Sequence, residues 1–233
     1  MTLTAPRRST RVSLPRVAIL VPKGDRDTGP LAEIGGRTVL WHSMMQLSSF
    51  GMRDFIVASD EPVSVASRHE VLAEGWRVQK SSACGAPTAL RDILTGGPLL
   101  VTEGTGLSDL DHNDLLAYHR SHGLIATIVA VRPPARFGRL EIQSGQVREF
   151  AEKPAYEQGW VGAGICVLEP GALDYLTDDE DGGLQATLAS LAQEGQLMAY
   201  KHDSFWGSLE TLKDRQTLEA LWQSGNPPWK TWA

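Results

Sequence analysis

This chain has few cysteines, no long apolar segment and no excess of positive charge. Its two cysteines, Cys84 and Cys166, are too few for a disulfide framework or for a zinc site of four cysteines. No apolar run approaches the roughly eighteen residues that a membrane-spanning helix needs. Acidic residues outnumber basic ones by 28 to 22, which argues against a general binder of nucleic acids or anionic membranes.

The residues that are present indicate a globular protein. Of its 233 residues, 42% are apolar, which is enough to bury a core and is not typical of a disordered chain. The first sixteen positions hold four arginines and no acid, and the apolar stretch 17–21 is too short for a secretory signal. We therefore expect a flexible basic arm over 1–15, a single domain over 16–233 and a cytoplasmic location.

Short apolar runs alternate with helical patterns through the first half of the chain, as they do in βαβ units. Strands are expected at 16–21, 55–58, 99–102 and 124–131, and further along at 140–142, 146–148, 164–168 and 197–200. Helices are expected from the cap Thr38 to Gly51 and over 63–74, 111–122, 184–193 and 211–224. The pattern predicts an α/β protein of three layers with a mixed, mostly parallel sheet, and the apolar residues 227–232 docked on its body or on a partner.

Several side chains that could attract functional assignments are expected to be structural. Asp109 and Asp111 stand at the start of a predicted helix and are expected to cap it. Cys84 has no recognisable histidine partner, and Cys166 lies in a predicted strand, so neither is expected to act as a nucleophile. Solvated or packed roles, without the spacing of metal ligands, are expected for His42, His112, His119, His122 and His202.

Seven stretches of the sequence match the motifs of one known family, in the same order along the chain. They include Glu-Ile-Gly-Gly-Arg at 33–37, Glu-Lys-Pro at 152–154 and Trp-Gln-Ser-Gly at 222–225. The full set is 33–42, 104–111, 131–138, 150–154, 160–164, 205–212 and 222–230. In this order, and over nearly the whole chain after residue 16, they resemble the sugar-1-phosphate nucleotidyltransferases, most closely the glucose-1-phosphate cytidylyltransferase branch of that family.

The resemblance implies a Rossmann-like nucleotidyltransferase fold, with a nucleotide half over 16–123 and a sugar half over 124–233. It also implies a reaction in which the phosphate of a sugar 1-phosphate attacks the α-phosphorus of a nucleoside triphosphate, CTP being favoured, and pyrophosphate leaves. Because charge accumulates on the phosphates, such a site works through positioning and through cations, including Mg²⁺.

The same resemblance assigns roles to individual positions. Lys153 would hold the sugar phosphate. Gly29 stands where the family has a basic residue, so Lys23 or Arg26 of the altered loop would have to neutralise the triphosphate instead. The substrate-binding positions that it implies are Glu152 at the sugar hydroxyls, Gly138, Gly162, Ala163 and Gly164 around the sugar, Gly104 and Thr105 in the place of the family's Gly-Asp-Gly, and Gly85 and Thr88 in a turn that recognises the base. Glu210 occupies a position of a metal ligand.

Three parts of this apparatus depart from the family pattern. Thr105 replaces the first metal aspartate, and Glu210, one methylene longer, replaces the second. The loop after the first strand has lost its adjacent glycines, and Gly162 replaces the asparagine of the sugar-facing Asn-Gly-Gly. Glu103, next to Gly104, is an alternative metal ligand. The basic residues of the loop form either a replacement phosphate site or a solvated loop, and the Glu-Lys pair at 152–153 is either a ligand site or a structural ion pair.

Three functions therefore stay open. The first is a divergent sugar-1-phosphate nucleotidyltransferase that uses Mg²⁺. The second is a catalytically inactive pseudoenzyme that binds a sugar nucleotide or acts as a regulatory or structural subunit. The third is a repurposed enzyme with different chemistry in the same pocket. The expected partners are a nucleoside triphosphate and a sugar phosphate or sugar nucleotide, with a homo-oligomer and with neither nucleic acid nor membrane.

Overall fold

The computed structural model describes residues 14–21, 27–59, 75–81, 87–94, 96–133, 139–151, 159–176 and 183–232. Up to residue 133, its elements are β1 (Arg16–Val21), β2 (Glu33–Ile34), β3 (Arg37–Thr38), α1 (Val39–Ser49), β4 (Asp54–Ser59), β5 (Arg77–Ser81), α2 (Pro87–Ile93), β6 (Leu99–Thr102), β7 (Gly106–Ser108), α3 (His112–His122) and β8 (Ala126–Val131). Beyond residue 133 they are β9 (Arg139–Gln143), β10 (Gln146–Ala151), β11 (Val161–Leu168), a 3-10 helix (Pro170–Tyr175), α4 (Gly183–Gln193), β12 (Leu197–His202), β13 (Trp206–Ser208) and α5 (Leu212–Gln223). Within these ranges, every helix is too short or too polar to cross a membrane.

Seven strands form the main sheet, in the order β12-β8-β11-β6-β1-β4-β5. Its neighbouring strands pair in parallel, except that β11 runs antiparallel to both β6 and β8. The pairs β2–β3, β7–β13 and β9–β10 form small two-stranded sheets beside it. The predicted α/β class with a mixed, mostly parallel sheet is confirmed.

The central strand β1 explains why the protein has three layers. All five residues after Arg16 in this strand are buried. The side chains of Val17 and Ile19 share a core with α1 and α3, whereas Ala18 and Leu20 share a core with α2 and α4. Because successive side chains of a strand point to opposite faces, a strand that is covered on both faces must be apolar throughout.

The apolar C-terminal segment docks on the body of the domain, as predicted. Trp229 is fully buried and stacks on Trp222 of α5 and on Phe205. Its indole N–H faces Nδ1 of His42 at 3.5 Å, while Nε2 of His42 lies 2.9 Å from the carbonyl oxygen of Ile34. A ring that accepts at Nδ1 and donates at Nε2 satisfies both contacts, so His42 has a packed role.

The sequence does not predict the short elements β2, β3, β5, β7, β13 and α2. The polar strand β5 forms at the sheet edge because it pairs with β4, with Asp54 opposite Arg77 and their side chains in an ion pair. The predicted strand 164–168 begins earlier, at Val161. The predicted hairpin is confirmed, with Ser144 and Gly145 of its turn both at positive φ. The helix expected over 63–74 and the arm up to residue 13 lie outside the described residues.

Two adjacent glycines in the β2–β3 turn differ in their surroundings. Gly35 and Gly36 both have positive φ, +59° and +73°. A Cβ on Gly35 would overlap the indole ring of Trp222, whereas a Cβ on Gly36 would have no described heavy atom within 4 Å. The Gly35 N–H also donates to Oε2 of Glu219 at 2.8 Å. Gly35 is thus the residue through which the turn packs against α5.

Gly35→Ala is expected to lower the free energy of unfolding by about 2–4 kcal/mol, because left-handed strain and overpacking add, while Gly36→Ala loses about 1–2 kcal/mol from strain alone. Equilibrium unfolding in urea, followed by tryptophan fluorescence, measures both losses. Equal losses in the two variants would contradict a packing role for the Gly35–Trp222 contact.

Candidate functional site

Two of the predicted site segments meet at the carboxyl edge of the parallel strands, where open α/β sheets bind ligands. The segment 103–105 leaves this edge directly after β6. Because β11 runs in the opposite direction, its first residues, with Gly162 and Gly164 among them, start at the same edge. The N–H of Glu103 donates to the carbonyl oxygen of Gly164 at 2.9 Å, which joins the two segments.

Backbone hydrogen bonds bring two more segments to this place. The N–H of Leu209 donates to the carbonyl oxygen of Thr105 at 2.8 Å, and the carbonyl oxygen of Leu209 accepts from the N–H of Gly29 at 2.8 Å. The adjoining ladder between β7 and β13 pairs Gly106 with Ser208. Positions 105 and 210, both assigned to the metal by resemblance, therefore lie on adjoining segments.

Gly104 allows the chain to turn at this point. Its φ is +63°, and a Cβ there would lie 3.1 Å from Cγ2 of Ile19 and 3.4 Å from Cβ of Pro30. Its N–H donates to Oγ1 of Thr102 at 3.2 Å. Glycine adopts this left-handed conformation without the strain that a Cβ would cause, so the segment can approach the loop after β1 closely.

A cavity of about 240 Å³ opens at this edge beside β11 and α4. Its described lining consists of Glu103, Ile128, Gly162, Gly164, Ile165, Cys166, Leu184, Gln185 and Leu188. Ala163, which the resemblance groups with the two glycines, is not in this lining. Its methyl group packs in the core with residues of α1 and α3, because alternate residues of a strand face opposite sides. The structure thus separates Ala163 from Gly162 and Gly164.

Glu103 and Gln185 form a polar pair in the lining. Oε1 of Glu103 accepts a hydrogen bond from Nε2 of Gln185 at 3.0 Å, which connects the sheet edge to the first turn of α4. Glu103 was an alternative metal ligand from the sequence, and the structure turns it towards this cavity. Gln185 was missed, because the pattern of 184–193 indicated a helix and gave no signal for the partner of any one side chain.

Cys166 lies in the wall of the same cavity. It is 2% exposed, and burial together with the charge of Glu103 raises the pKa of its thiol to about 12. The thiol is therefore protonated at neutral pH. The predicted core role of Cys166 is confirmed.

Six predicted site residues lie outside the described part of the chain: Lys23, Arg26, Gly85, Gly138, Glu152 and Lys153. Their roles stay predictions. Thr88 was expected in a turn, but α2 begins at Pro87, so the backbone of Thr88 belongs to the first turn of a helix. Glu210 is exposed and directly precedes Thr211, the N-cap of α5.

The two aspartates before α3 have different roles. Asp111 caps the helix, and its Oδ1 accepts from the N–H of Asn113 at 2.8 Å. Asp109 instead accepts a hydrogen bond from the hydroxyl of Ser204 and lies 3.0 Å from Nε2 of His202. The capping prediction is confirmed for Asp111 and wrong for Asp109, which connects the end of β7 to the β12–β13 connection.

His112, the first residue of α3, is a buried polar side chain. Neither of its ring nitrogens has a hydrogen-bond partner among the described residues, and the ring packs edge-on against Phe50. Burial lowers the pKa of His112 to about 4; the charge of Asp111 opposes this shift, and His202 adds to it. His112 is therefore neutral at pH 7 and has a packed role.

A model of the nucleotidyl transferase family matches residues 25–223 of the chain. This chain belongs to that family. The glucose-1-phosphate cytidylyltransferase of Salmonella typhi is 36% identical to it, and the match covers 87% of this chain and 91% of the relative. Mannose-1-phosphate guanyltransferase beta-A of Xenopus laevis is 26% identical, over 79% of this chain and 56% of that protein.

Solved structures agree with the nucleotidyltransferase fold. HddC from Yersinia pseudotuberculosis matches with a TM-score of 0.65 and 16% identity, over 90% of this chain and 100% of that one. A Bacillus anthracis protein described as a glucose-1-phosphate thymidylyltransferase was solved in complex with sucrose. It matches with a TM-score of 0.68 and 16% identity, over 89% of this chain and 95% of that one. At this identity the likeness shows the fold alone.

The donor set at positions 105 and 210 is one carboxylate and one hydroxyl, which suits a magnesium ion that is held mainly by substrate phosphates. Proteins often bind Mg²⁺ through one or two carboxylates together with phosphate oxygens. Glu210 supplies one carboxylate, and Thr105 on the adjoining segment is uncharged. The described ranges contain no group of three His, Cys, Asp or Glu side chains that could hold a metal by themselves. Glu210 would therefore hold Mg²⁺ jointly with a triphosphate.

Cys166 should resist thiol reagents in the native protein. In a Cys84→Ser variant, Cys166 is the single cysteine, and its raised thiol pKa leaves almost no thiolate at pH 8, where labelling needs thiolate. We expect no reaction with a disulfide reagent in buffer and one equivalent in strong urea. Rapid labelling without denaturant would contradict the packing of Cys166 in the cavity wall.

Stability should fall as the pH is lowered below the ordinary pKa of histidine. The folded protein resists protonation of His112, so the unfolded chain binds more protons between about pH 6.5 and pH 4, and the free energy of unfolding rises with pH across this window. The loss from pH 7 to pH 5 should reach about 2 kcal/mol for this residue. Urea unfolding of the wild type and of His112→Leu measures it. An unchanged pH slope in the variant would contradict a buried, neutral His112.

Proposed function

We propose that this chain joins a nucleoside triphosphate, CTP being favoured, to a sugar 1-phosphate and releases pyrophosphate. The observation that carries the proposal is the 36% identity to a glucose-1-phosphate cytidylyltransferase over 87% of this chain. The meeting of segments 103–105, 162–164 and 209–210 at one sheet edge supports it, since the resemblance assigns the metal to the first and last of these segments and the sugar to the second.

In this proposal, the sugar ring enters the cavity beside Gly162 and Gly164, and the triphosphate lies along the segment 104–105. Lys153 holds the sugar phosphate, while Lys23 or Arg26 neutralises the triphosphate. Mg²⁺, when bound, draws negative charge from the phosphates. The contribution of the chain is positioning, because an in-line displacement between two anions is slow unless the attacking oxygen is held on the axis of the leaving group.

The remaining predicted residues complete the substrate contacts in the same proposal. Glu152 accepts hydrogen bonds from sugar hydroxyls, and Gly138 lines the sugar. Gly85 and Thr88 stand where the base binds. A homo-oligomeric state and a cytoplasmic location stay predictions.

A catalytically inactive protein that binds a sugar nucleotide, or that serves as a regulatory or structural subunit, is the second candidate. Thr105 favours it, because an uncharged side chain occupies the position of the first metal aspartate. Loss of one group that stabilises transition-state charge typically costs about 3–4 kcal/mol. The third hypothesis, different chemistry in the same pocket, gains no support from the described residues.

The deciding experiment measures pyrophosphate release from CTP and glucose 1-phosphate with Mg²⁺. UTP, dTTP, ATP and GTP are each tested in place of CTP. Glu210→Gln keeps the shape of the side chain and removes its charge, and should lower kcat/KM by about 10²-fold. Lys153→Ala should lower kcat/KM by a factor of the same order. Glu194→Gln, an exposed residue just after α4, is the matched control and should have wild-type activity.

Thermal shift with CDP-glucose separates the two candidates when no turnover is seen. A ligand that binds only the folded state raises the melting temperature. A rise with CDP-glucose, without pyrophosphate release from any triphosphate, would favour the inactive binding protein. If pyrophosphate release and the rise in melting temperature were both absent, the result would contradict the active transferase and the protein that binds a sugar nucleotide.

A further inference from the structure

The cavity between the sheet edge and α4 contains an unusual combination of charge and shape. Among its described lining residues, Glu103 is the only charged one, and the others besides Gln185 are glycines or apolar side chains such as Ile128, Leu184 and Leu188. No described cation in this lining balances the carboxylate. Glu103 is half-buried, so its carboxylate can attract a complementary group that enters the cavity.

The position of the carboxylate is set from two sides. Oε1 of Glu103 accepts from Gln185 at 3.0 Å. Oε2 lies 3.0 Å from the place where a Cβ on Gly164 would stand, so the carboxylate fills the space that this glycine leaves. Gln185 donates one N–H to Glu103, which leaves its carbonyl oxygen and one N–H for other partners. Together the pair presents mainly acceptor oxygens.

The volume limits what this pair can contact. Pockets for drug-sized ligands measure roughly 300–1,000 Å³, and this cavity has about 240 Å³. It suits one sugar ring rather than a whole sugar nucleotide. The ring would therefore meet the acceptor oxygens, while its phosphate stays at the sheet edge near Gly104.

We propose that Glu103, held by Gln185, determines which sugar ring enters the cavity: it favours a ring that carries an ammonium group, accepts a ring that carries hydroxyl groups, and excludes a ring that carries a carboxylate. This inference rests on the proposed binding of sugar 1-phosphates. It adds a specificity-determining residue that the sequence resemblance does not assign to the sugar. Gln185 is a positioning residue, since it acts through Glu103.

The test is calorimetric binding of three ligands at pH 6.5, where the amine is protonated: glucosamine 1-phosphate, glucose 1-phosphate and glucuronic acid 1-phosphate. Mg²⁺ and a non-hydrolysable CTP analogue are present throughout. In the wild type, glucosamine 1-phosphate should bind at least about tenfold more tightly than glucuronic acid 1-phosphate, with glucose 1-phosphate between them. Glu103→Gln should reduce this ratio at least fivefold, because it removes the charge and keeps the shape.

Two further variants keep the test specific. Gln185→Ala should reduce the same ratio by a smaller factor, because the carboxylate remains but loses the hydrogen bond that positions it. Glu194→Gln makes the same chemical change just after the far end of α4 and should preserve the ratio. Circular dichroism checks that each variant is folded.

The outcomes for the inference and for the proposed function differ. Equal affinities for the three ligands in the wild type, or a ratio that Glu103→Gln leaves unchanged, would overturn the role of Glu103 and leave the proposed function standing. If none of the three sugar phosphates bound, the proposed function would fail and this inference with it. A ratio that falls in Glu103→Gln and holds in Glu194→Gln supports the inference.

Discussion

Two backbone hydrogen bonds, from Gly29 to Leu209 and from Leu209 to Thr105, hold segments from both ends of the chain at one edge of the sheet. They act together with the β7–β13 ladder, which pairs Gly106 with Ser208, and with the close approach of Gly104 to Pro30. Backbone hydrogen bonds tolerate changes of side chain, since they require only that each residue have an N–H or a carbonyl group. The frame of a nucleotidyltransferase site can therefore persist while Thr105 and Glu210 replace the aspartates of the family pattern.

Most of the predicted strands of the main sheet are those whose burial leaves a pattern in the sequence. β1 and β8 are covered on both faces, so nearly every position in them is apolar, and such runs are visible without a structure. β5, β7 and β13 could not be found in this way. β5 is polar and depends on pairing with β4, and the other two are three residues long and depend on each other. Their stability lies in partners that are distant in sequence.

The same distinction applies to the site. The resemblance marked Gly162, Ala163 and Gly164 as one unit, but the alternation of a strand places Ala163 in the opposite core. Because side chains of a strand alternate with a period of two residues, the sequence could have predicted that Ala163 faces away from Gly162 and Gly164. The Glu103–Gln185 pair could not have been predicted. Glu103 follows β6 and Gln185 lies in α4, on two sides of a cavity, and nothing in the sequence sets the distance between them. Asp109 and Asp111 make the same point, since two similar residues before one helix have different partners.

The position of negative charge around Gly104 is the main chemical departure from the family pattern. The resemblance places a metal-binding carboxylate at position 105, on the segment that bonds to Leu209, and this chain has threonine there. It has a carboxylate two residues earlier, at position 103, on the cavity beside α4. Gly104 lies between positions 103 and 105, and its left-handed φ turns the chain between them. In the proposed function, a carboxylate at 105 would act on the cation at the triphosphate, whereas a carboxylate at 103 would act on the sugar ring in the cavity. On that proposal, Thr105 would weaken the metal side of the site, while Glu103 would give the cavity a charge through which it selects its ligand.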